Sequence, residues 1–339
     1  MANIINVKWN DQEKKYIRTD MDIYSKALEV NDDFLIISEK MASIANVSSF
    51  EIKASLIGSM KKDGLFTFKA IKTALDWIFV NHDYSKAFSI NEDENIIFEM
   101  LFKNAKAYQK KVSRRLTEKE VKKLYGFHVC MNHGGKMKGI HSISTNSMLN
   151  PFCIAHRKIK DCVCCHCYAV NLIKTRPSMF IPLTINQLLF SNFIIPDELI
   201  PEIKSKKIRF EAFGDLGTIL QVVNYFNISK ANGGKKCALW TKNPVIIKRA
   251  LDKGLTQKPK NIQIIFSGFR LNQPISLETL QRVFPFVDRV FVVWEKEENN
   301  PFINCGKRDC DNCGTCYDEN GAKVVNEALK MAKKNPADK

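Results

Sequence analysis

Apolar positions recur at near-helical spacing in residues 22–45 (DIYSKALEVNDDFLIISEKMASIA) and again in residues 66–82 (FTFKAIKTALDWIFVNH), which predicts amphipathic helices. Ser48 and Ser49 before Glu51, and Asn91 before the run IIFEMLF, read as further helix starts. Residues 103–125 form a strongly charged helical segment, in which Thr117 followed by Glu120 fits a capping box. The first 115 residues therefore read as mainly helical. After Gly134-Gly135 the pattern changes. Short β-rich runs (HSISTNSM, KIRFEAFG, KCALWT, NIQIIFSG, VDRVFVVW) alternate with helical stretches near 170–192 and in LGTILQVVNYFN, NPVIIKRALDKG and SLETLQRVF. Strand and helix in alternation imply crossover connections and a parallel sheet of about five strands, either open or rolled into a barrel. Ligands of such sheets gather at the C-terminal strand ends. Here those ends are Asn146, Gly214-Asp215, Thr241-Lys242, Ser267-Gly268 and Trp294-Glu295.

Composition supports a folded chain and adds a polarity. Of 339 residues, 45% are hydrophobic against 26% charged, enough apolar side chain to offset the entropy of ordering. The net charge is +16, and its placement is uneven: residues 1–120 carry 19 basic and 18 acidic side chains, leaving +15 on residues 121–339. The boundary between the two expected regions is drawn at 120/121. Basicity of this size favours an anionic substrate or a nucleic acid. All 11 cysteines lie at or after Cys130. The N-terminus lacks the apolar core of a signal peptide and no apolar stretch approaches 18 residues, so the expectation is a cytoplasmic protein without a membrane segment. In that compartment clustered thiols more often bind metal than pair as disulfides.

Two cysteine groups stand out. The first, after the first predicted strand, holds Cys153, Cys162, Cys164, Cys165 and Cys167, with two interleaved Cys-x-x-Cys pairs. Metal or cluster ligation, a redox disulfide and incidental thiols are the alternatives, and at least one of the five is a bystander to any single centre. The second is the run Cys310-x-x-Cys313-x-x-Cys316, with Cys305 five residues upstream. That density is closer to a ferredoxin-like 4Fe-4S run than to a structural zinc site, which draws its pairs from separate knuckles; both metals stay open. His128 and His133 flank Cys130 as a weaker zinc-like trio, and His156 and His166 fall inside the first group, as ligands or, more in keeping with a loop, as exposed residues. No phosphate-binding P-loop, His-Glu-x-x-His or Gly-x-Ser-x-Gly motif occurs.

From Ser142 to Tyr317 the chain resembles the phage gene product 88 family of radical-SAM-like iron-sulfur proteins. The resemblance rests on Ser-Ile-Ser-Thr-Asn, Asn150 to Cys153, Cys164-x-x-Cys167-Tyr168-Ala169, strand ends at Phe213-Gly214-Asp215 and Trp240-Thr241-Lys242, and the late cysteine run closing on Tyr317. It covers about half the chain, excludes residues 1–120, and departs from the usual Cys-x3-Cys-x2-Cys spacing of the radical-SAM superfamily. It implies an α/β fold, a partial (β/α) barrel of radical-SAM type, preceded by the mainly α-helical N-terminal domain. It also implies a 4Fe-4S cluster on Cys153, Cys164 and Cys167, with Cys162 or Cys165 as substitutes, and S-adenosylmethionine bound over it. The second group would hold an auxiliary cluster, or zinc.

On that arrangement Glu211, Gly214 and Asp215 would meet the amino group of the cofactor, Asp215 otherwise capping the next helix. Lys242 would pair with a carboxylate or phosphate, or stay on the surface. Ser267 would donate to a ribose or carboxylate, or serve a turn. Tyr168 would stack near the adenine, or belong to the core. The expected activity is generation of a 5′-deoxyadenosyl radical on an unidentified substrate, nucleic acid or nucleotide included, with a flavodoxin- or ferredoxin-type electron donor. The rivals are a non-catalytic nucleic-acid-binding protein stapled by zinc or iron-sulfur sites and a thiol-disulfide redox protein.

Overall fold

The computed structural model describes residues 7–10, 15–18, 96–160, 162–295, 301–306 and 309–328. The helices expected over 22–45 and 66–82, the helix starts at Ser48, Ser49 and Asn91, and the C-terminal tail lie outside them. Two compact units divide at Phe127/His128.

In the first unit, β1 (Val7–Asn10) and β2 (Lys15–Arg18) pair antiparallel, with Trp9 opposite Tyr16. The helical periodicity did not register this hairpin, whose Val, Trp, Tyr and Ile are strand formers. The charged segment is two helices, not one: α1 (Ile96–Val112) and α2 (Glu118–Leu124). The break falls at Ser113, whose φ of 49° is left-handed and ends α1. Thr117 and Glu120 then restart the helix with the expected capping box.

The second unit is an α/β layer built on one seven-stranded sheet. Its strands are β3 (Cys130–Met131), β4 (His141–Ile143), β5 (Lys207–Phe210), β6 (Lys236–Thr241), β7 (Ile262–Leu271), β8 (Arg289–Trp294) and β9 (Val324–Ala328). They lie side by side in chain order, with β3 and β9 at the edges. Only β3 against β4 is antiparallel; every other pair is parallel. The five expected strands are all present, and β3 and β9 are additions. Between them run α3 (Pro151–Arg157), α4 (Tyr168–Thr175), α5 (Phe180–Asn192), α6 (Ile219–Ala231), α7 (Pro244–Asp252) and α8 (Leu277–Val283). Among the described residues no helix is long and apolar enough to cross a membrane.

The sheet's two faces differ. Ile208, Phe210, Cys237, Leu239, Ile264, Val290 and Val292 are wholly buried, and Phe210 stacks on Tyr225 of α6 at 4.6 Å. Side chains alternate across a strand, so the intervening Arg209, Trp240, Phe291 and Val293 point the other way, and they are only half-buried. A parallel sheet is ordinarily covered on both faces; on the face away from α6, Ala238 and Ile265 are wholly buried and pack with Tyr317.

Candidate metal and cofactor site

The C-terminal ends of β4 to β7 are held by a buried polar network. After β4 the chain runs Ser144-Thr145-Asn146-Ser147, all at most 3% exposed. Ser144 Oγ accepts from Ala212 N at 2.9 Å, and Asn146 Nδ2 donates to Thr184 Oγ1 at 3.0 Å. Glu211 follows β5 in a left-handed conformation, φ 55°. Its carboxylate accepts from Thr145 N and Oγ1, from Gln221 Nε2 at 2.5 Å and from the Tyr225 hydroxyl. Burial nevertheless pushes its pKa up to about 7. Gly214 has no room for a side chain: a Cβ there would stand 2.2 Å from Thr145 Oγ1 and 2.5 Å from Glu211 Oε2. Asp215 accepts from Leu216 N at 2.7 Å, Thr241 Oγ1 at 2.5 Å and Lys242 N at 2.9 Å, tying β5 to β6. It does not cap α6; Thr218 does, accepting from Gln221 N.

Lys242 and Ser267 meet across neighbouring strand ends. Lys242 Nζ donates to Ser267 Oγ and to the Gly268 carbonyl, each at 2.7 Å. Ser267 is not in a turn, because β7 continues to Leu271 with a register irregularity from Ser267 onward. Tyr168 opens α4 and is 48% exposed, so it is not a core aromatic. Its hydroxyl donates to the Ala212 carbonyl.

The first cysteine group is carried by short helices. Asn150, wholly buried, caps α3 by accepting from Phe152 N and Cys153 N, while its Nδ2 donates to the Asp215 carbonyl at 2.6 Å. One side chain thus fixes Cys153 relative to the strand ends. Cys162 precedes a 3-10 turn, Val163–His166, and Cys167 leads into α4. Cys153 feels the charges of Asp215, Cys167, Glu211 and Cys164, and burial pushes its thiol up. Burial also pushes Cys164 up to about 12, against the opposing pull of Lys242. Cys162 is buried with its sulfur accepting from Cys164 N, whereas Cys165 is exposed and donates to the Lys160 carbonyl. His156, expected in an exposed loop, is packed instead: it lies 4.0 Å from Phe152 and stacks on Phe269 at 5.0 Å. Helical i,i+4 spacing brings it to Phe152. Cys130 lies in edge strand β3, opposite Ser142.

The second group lies against the face of the sheet away from α6. Cys305 bridges to Glu327 of β9, and Lys136 Nζ reaches Cys305 Sγ at 3.0 Å and Glu327 Oε1 at 2.6 Å. Asp309 caps the single turn Cys310–Cys313, which Gly314 ends with a φ of 63°, a conformation suited to glycine. Cys310 and Cys316 pack with Trp240 and Phe291 around buried Tyr317. Cys305, Cys310 and Cys316 are electrostatic neighbours, and burial pushes Cys316 up to about 12. Cys313 faces outward, its sulfur 3.3 Å from Thr315 Oγ1. Arg289 anchors the segment, donating to the Gly321 and Ala322 carbonyls, each at 2.6 Å, and to that of Asp318.

None of the 11 cysteines is in a disulfide. Among the described residues, no three Cys, His, Asp or Glu side chains converge in an arrangement ready to hold a metal ion. Thiolates are ligands for iron-sulfur clusters and for zinc alike, and each group carries at least four cysteines within fifteen residues. Binding would require rotation of the thiols toward one another and loss of their protons.

No family model, curated protein or solved structure matches this chain. Arg209, Arg289, Lys136 and Tyr225 escaped the sequence reading. The usable signal for the two arginines was a charge at an alternate position inside an apolar strand, KIRF and DRVFVVW.

Proposed function

We propose that this protein is an iron-sulfur enzyme of the radical S-adenosylmethionine type, acting on an anionic substrate. One observation carries the reading: Asn150 caps the helix of Cys153 and donates to the Asp215 carbonyl at 2.6 Å, which fixes the first cysteine segment to the C-terminal strand ends that bear Glu211, Asp215 and Lys242. When bound, the cluster and S-adenosylmethionine supply one-electron cleavage of the sulfonium to a 5′-deoxyadenosyl radical.

The chain's own residues hold and orient. Cys153, Cys164 and Cys167 are the ligands of the first centre. Lys242, already presented on carbonyl and hydroxyl oxygens, offers its ammonium to a carboxylate, and Ser267 supplies a hydroxyl beside it. Glu211 and Asp215 have their oxygens engaged by protein donors, so in their ionised forms they act through their field, favouring a sulfonium or ammonium nearby. Gly214 lets the strand-end backbone close against Thr145 and Glu211, and Tyr168 offers an exposed ring face. Cys305, Cys310 and Cys316, with Cys313 turned outward until metal draws it in, are the ligands of an auxiliary centre. A flavodoxin- or ferredoxin-type protein would deliver electrons.

The test is anaerobic reconstitution followed by iron, sulfide and zinc analysis and a dithionite-driven assay for 5′-deoxyadenosine. Iron and sulfide with turnover of S-adenosylmethionine are expected. Zinc without iron overturns the enzyme and leaves a metal-stapled binding protein.

A further inference from the structure

The near-neutral balance of residues 1–120 conceals a separation. Residues 96–127 carry nine basic and three acidic side chains, a net of +6. In this stretch α1 buries Leu101, Phe102 and Ala105, and α2 buries Val121, which leaves the charges on the outer faces. Lys110 and Lys111 stand exposed in the last turn of α1, and Lys119, Lys122 and Lys123 stand exposed on α2. The carboxylate of Glu120 is consumed at the joint between the helices. It takes Arg114 through both oxygens, at 2.7 and 2.9 Å, together with the Thr117 N–H and the Tyr108 hydroxyl. Among the described residues, none of the five lysines meets a carboxylate.

Helix stability does not account for this arrangement. Lys110, Lys111, Lys122 and Lys123 sit near helix C-termini, where a cation offsets the macrodipole, but Lys119 lies in the first turn of α2, the end at which a cation is unfavourable. Lys119 is also three and four residues from Lys122 and Lys123, spacings at which like charges repel. Unpaired cations that work against their own helix point to a polyanion outside it. A membrane surface is the poorer match, because interfacial helices need an exposed apolar face and here those side chains are buried. Single-strand binding calls for several exposed aromatic rings, whereas Tyr108 is tied to Glu120 and both Phe102 and Tyr125 are buried. Lysines are point charges, suited to phosphates more than to base edges.

We infer that the outer surface of α1 and α2 binds a double-stranded nucleic acid through its phosphates, without reading its sequence. Lys110 and Lys111 take phosphates on one side of the joint and Lys119, Lys122 and Lys123 on the other. The capping box and the Arg114–Glu120 pair hold the two groups in fixed relation. The inference goes beyond the proposed enzyme and needs no metal.

The experiment is titration of the full-length protein with fluorescein-labelled duplexes, DNA and RNA, each in two unrelated sequences, between about 50 and 200 mM salt. Five phosphate contacts predict that affinity falls by about 500-fold across that range, alike for both sequences. Replacing Lys119, Lys122 and Lys123 together by Gln leaves two contacts and a fall of only about tenfold. Lys110→Gln with Lys111→Gln leaves three contacts and a fall of about 40-fold, and this pair decides the matter if the triple variant does not fold. Glutamine is as good a helix former as lysine. Lys230→Gln, Lys253→Gln and Lys260→Gln together remove the same charge from exposed positions of the second unit and should keep the full salt dependence. Absence of duplex binding, or a salt dependence unchanged in both α1 and α2 variants, overturns the surface. An equal loss in the second-unit variant assigns binding to net charge and overturns it as well. So does tighter, equally lysine-dependent binding to phosphatidylserine vesicles, which gives the surface to a membrane. Zinc in place of iron would end the radical reading while leaving these titrations unaffected.

Discussion

The two cysteine groups are built from the same residue type and placed in opposite electrostatic settings. The first sits with Glu211 and Asp215 among its neighbours and Lys242 as an opposing cation. The thiols of the second feel Lys136, Arg209 and Arg289 as well as Glu327. Metal-bound thiolates carry negative charge, so the second setting offsets it and the first adds to it. A carboxylate-rich surround suits a centre that must bind a cationic cofactor; a cation-rich one suits a centre that only has to persist. The difference teaches that, on the proposed reading, the cysteine spacing marks the ligands and the strands beneath them separate the roles.

The largest expected effect separates the groups outright. Replacing Cys153, Cys164 and Cys167 together by Ala should remove one centre's iron and all 5′-deoxyadenosine formation, leaving the other centre's spectrum in place. Replacing Cys310 and Cys316 should do the reverse to the metal, and it should also loosen the packing around Tyr317. Iron analysis and low-temperature spin resonance of both variants check this. If either variant loses both centres, or neither, the two-site comparison is wrong.

The next effect tests the carboxylate setting. Glu211 titrates near 7 in the folded chain against an ordinary 4.5, so the native state binds its proton more tightly than the unfolded state. That contribution is complete below pH 4.5 and is lost as pH rises through 7. By linkage it amounts to roughly 3 kcal/mol. Urea unfolding at pH 5 and pH 8 should show the wild type losing stability across this window and Glu211→Gln losing much less. The arginines near the second group do not titrate in this range, so a window of the same size in Glu211→Gln would mean that another group is responsible.

Legibility differed by element for physical reasons. The five inner strands were readable because strands buried in a parallel sheet are near-continuous apolar runs. Cys130–Met131 is too short to show periodicity, and β9 reads VVNEA because an edge strand needs no second apolar face. Lys242 and Ser267 were readable as strand-end residues, and adjacency of β6 and β7 makes them partners. Equal spacing did not reveal that one helical turn, Cys310–Cys313, points Cys313 away from the others. Arg209 was hidden for a different reason. A charge within a strand suggests an exposed position, and only the neighbouring strands show that this one stacks on Trp240 with no carboxylate beside it.

The smallest effect probes the joint that holds the first group against the sheet. Asn150→Ala removes the α3 cap and the 2.6 Å bond to the Asp215 carbonyl. Losing such a cap costs about 1 kcal/mol, and the buried carbonyl left behind adds about as much. Asn150 also sets where Cys153 stands, so the first centre should lose metal to a chelator sooner than in the wild type. The second centre shares no residue with that joint; its rate of loss should stay the same. Asn150→Asp separates the two contributions, since the carboxylate still caps α3 but cannot donate to Asp215. Should Asn150→Asp hold the first centre as well as the wild type does, the cap alone positions Cys153, and the link between the cysteine helix and the Asp215 strand end carries no part of the site.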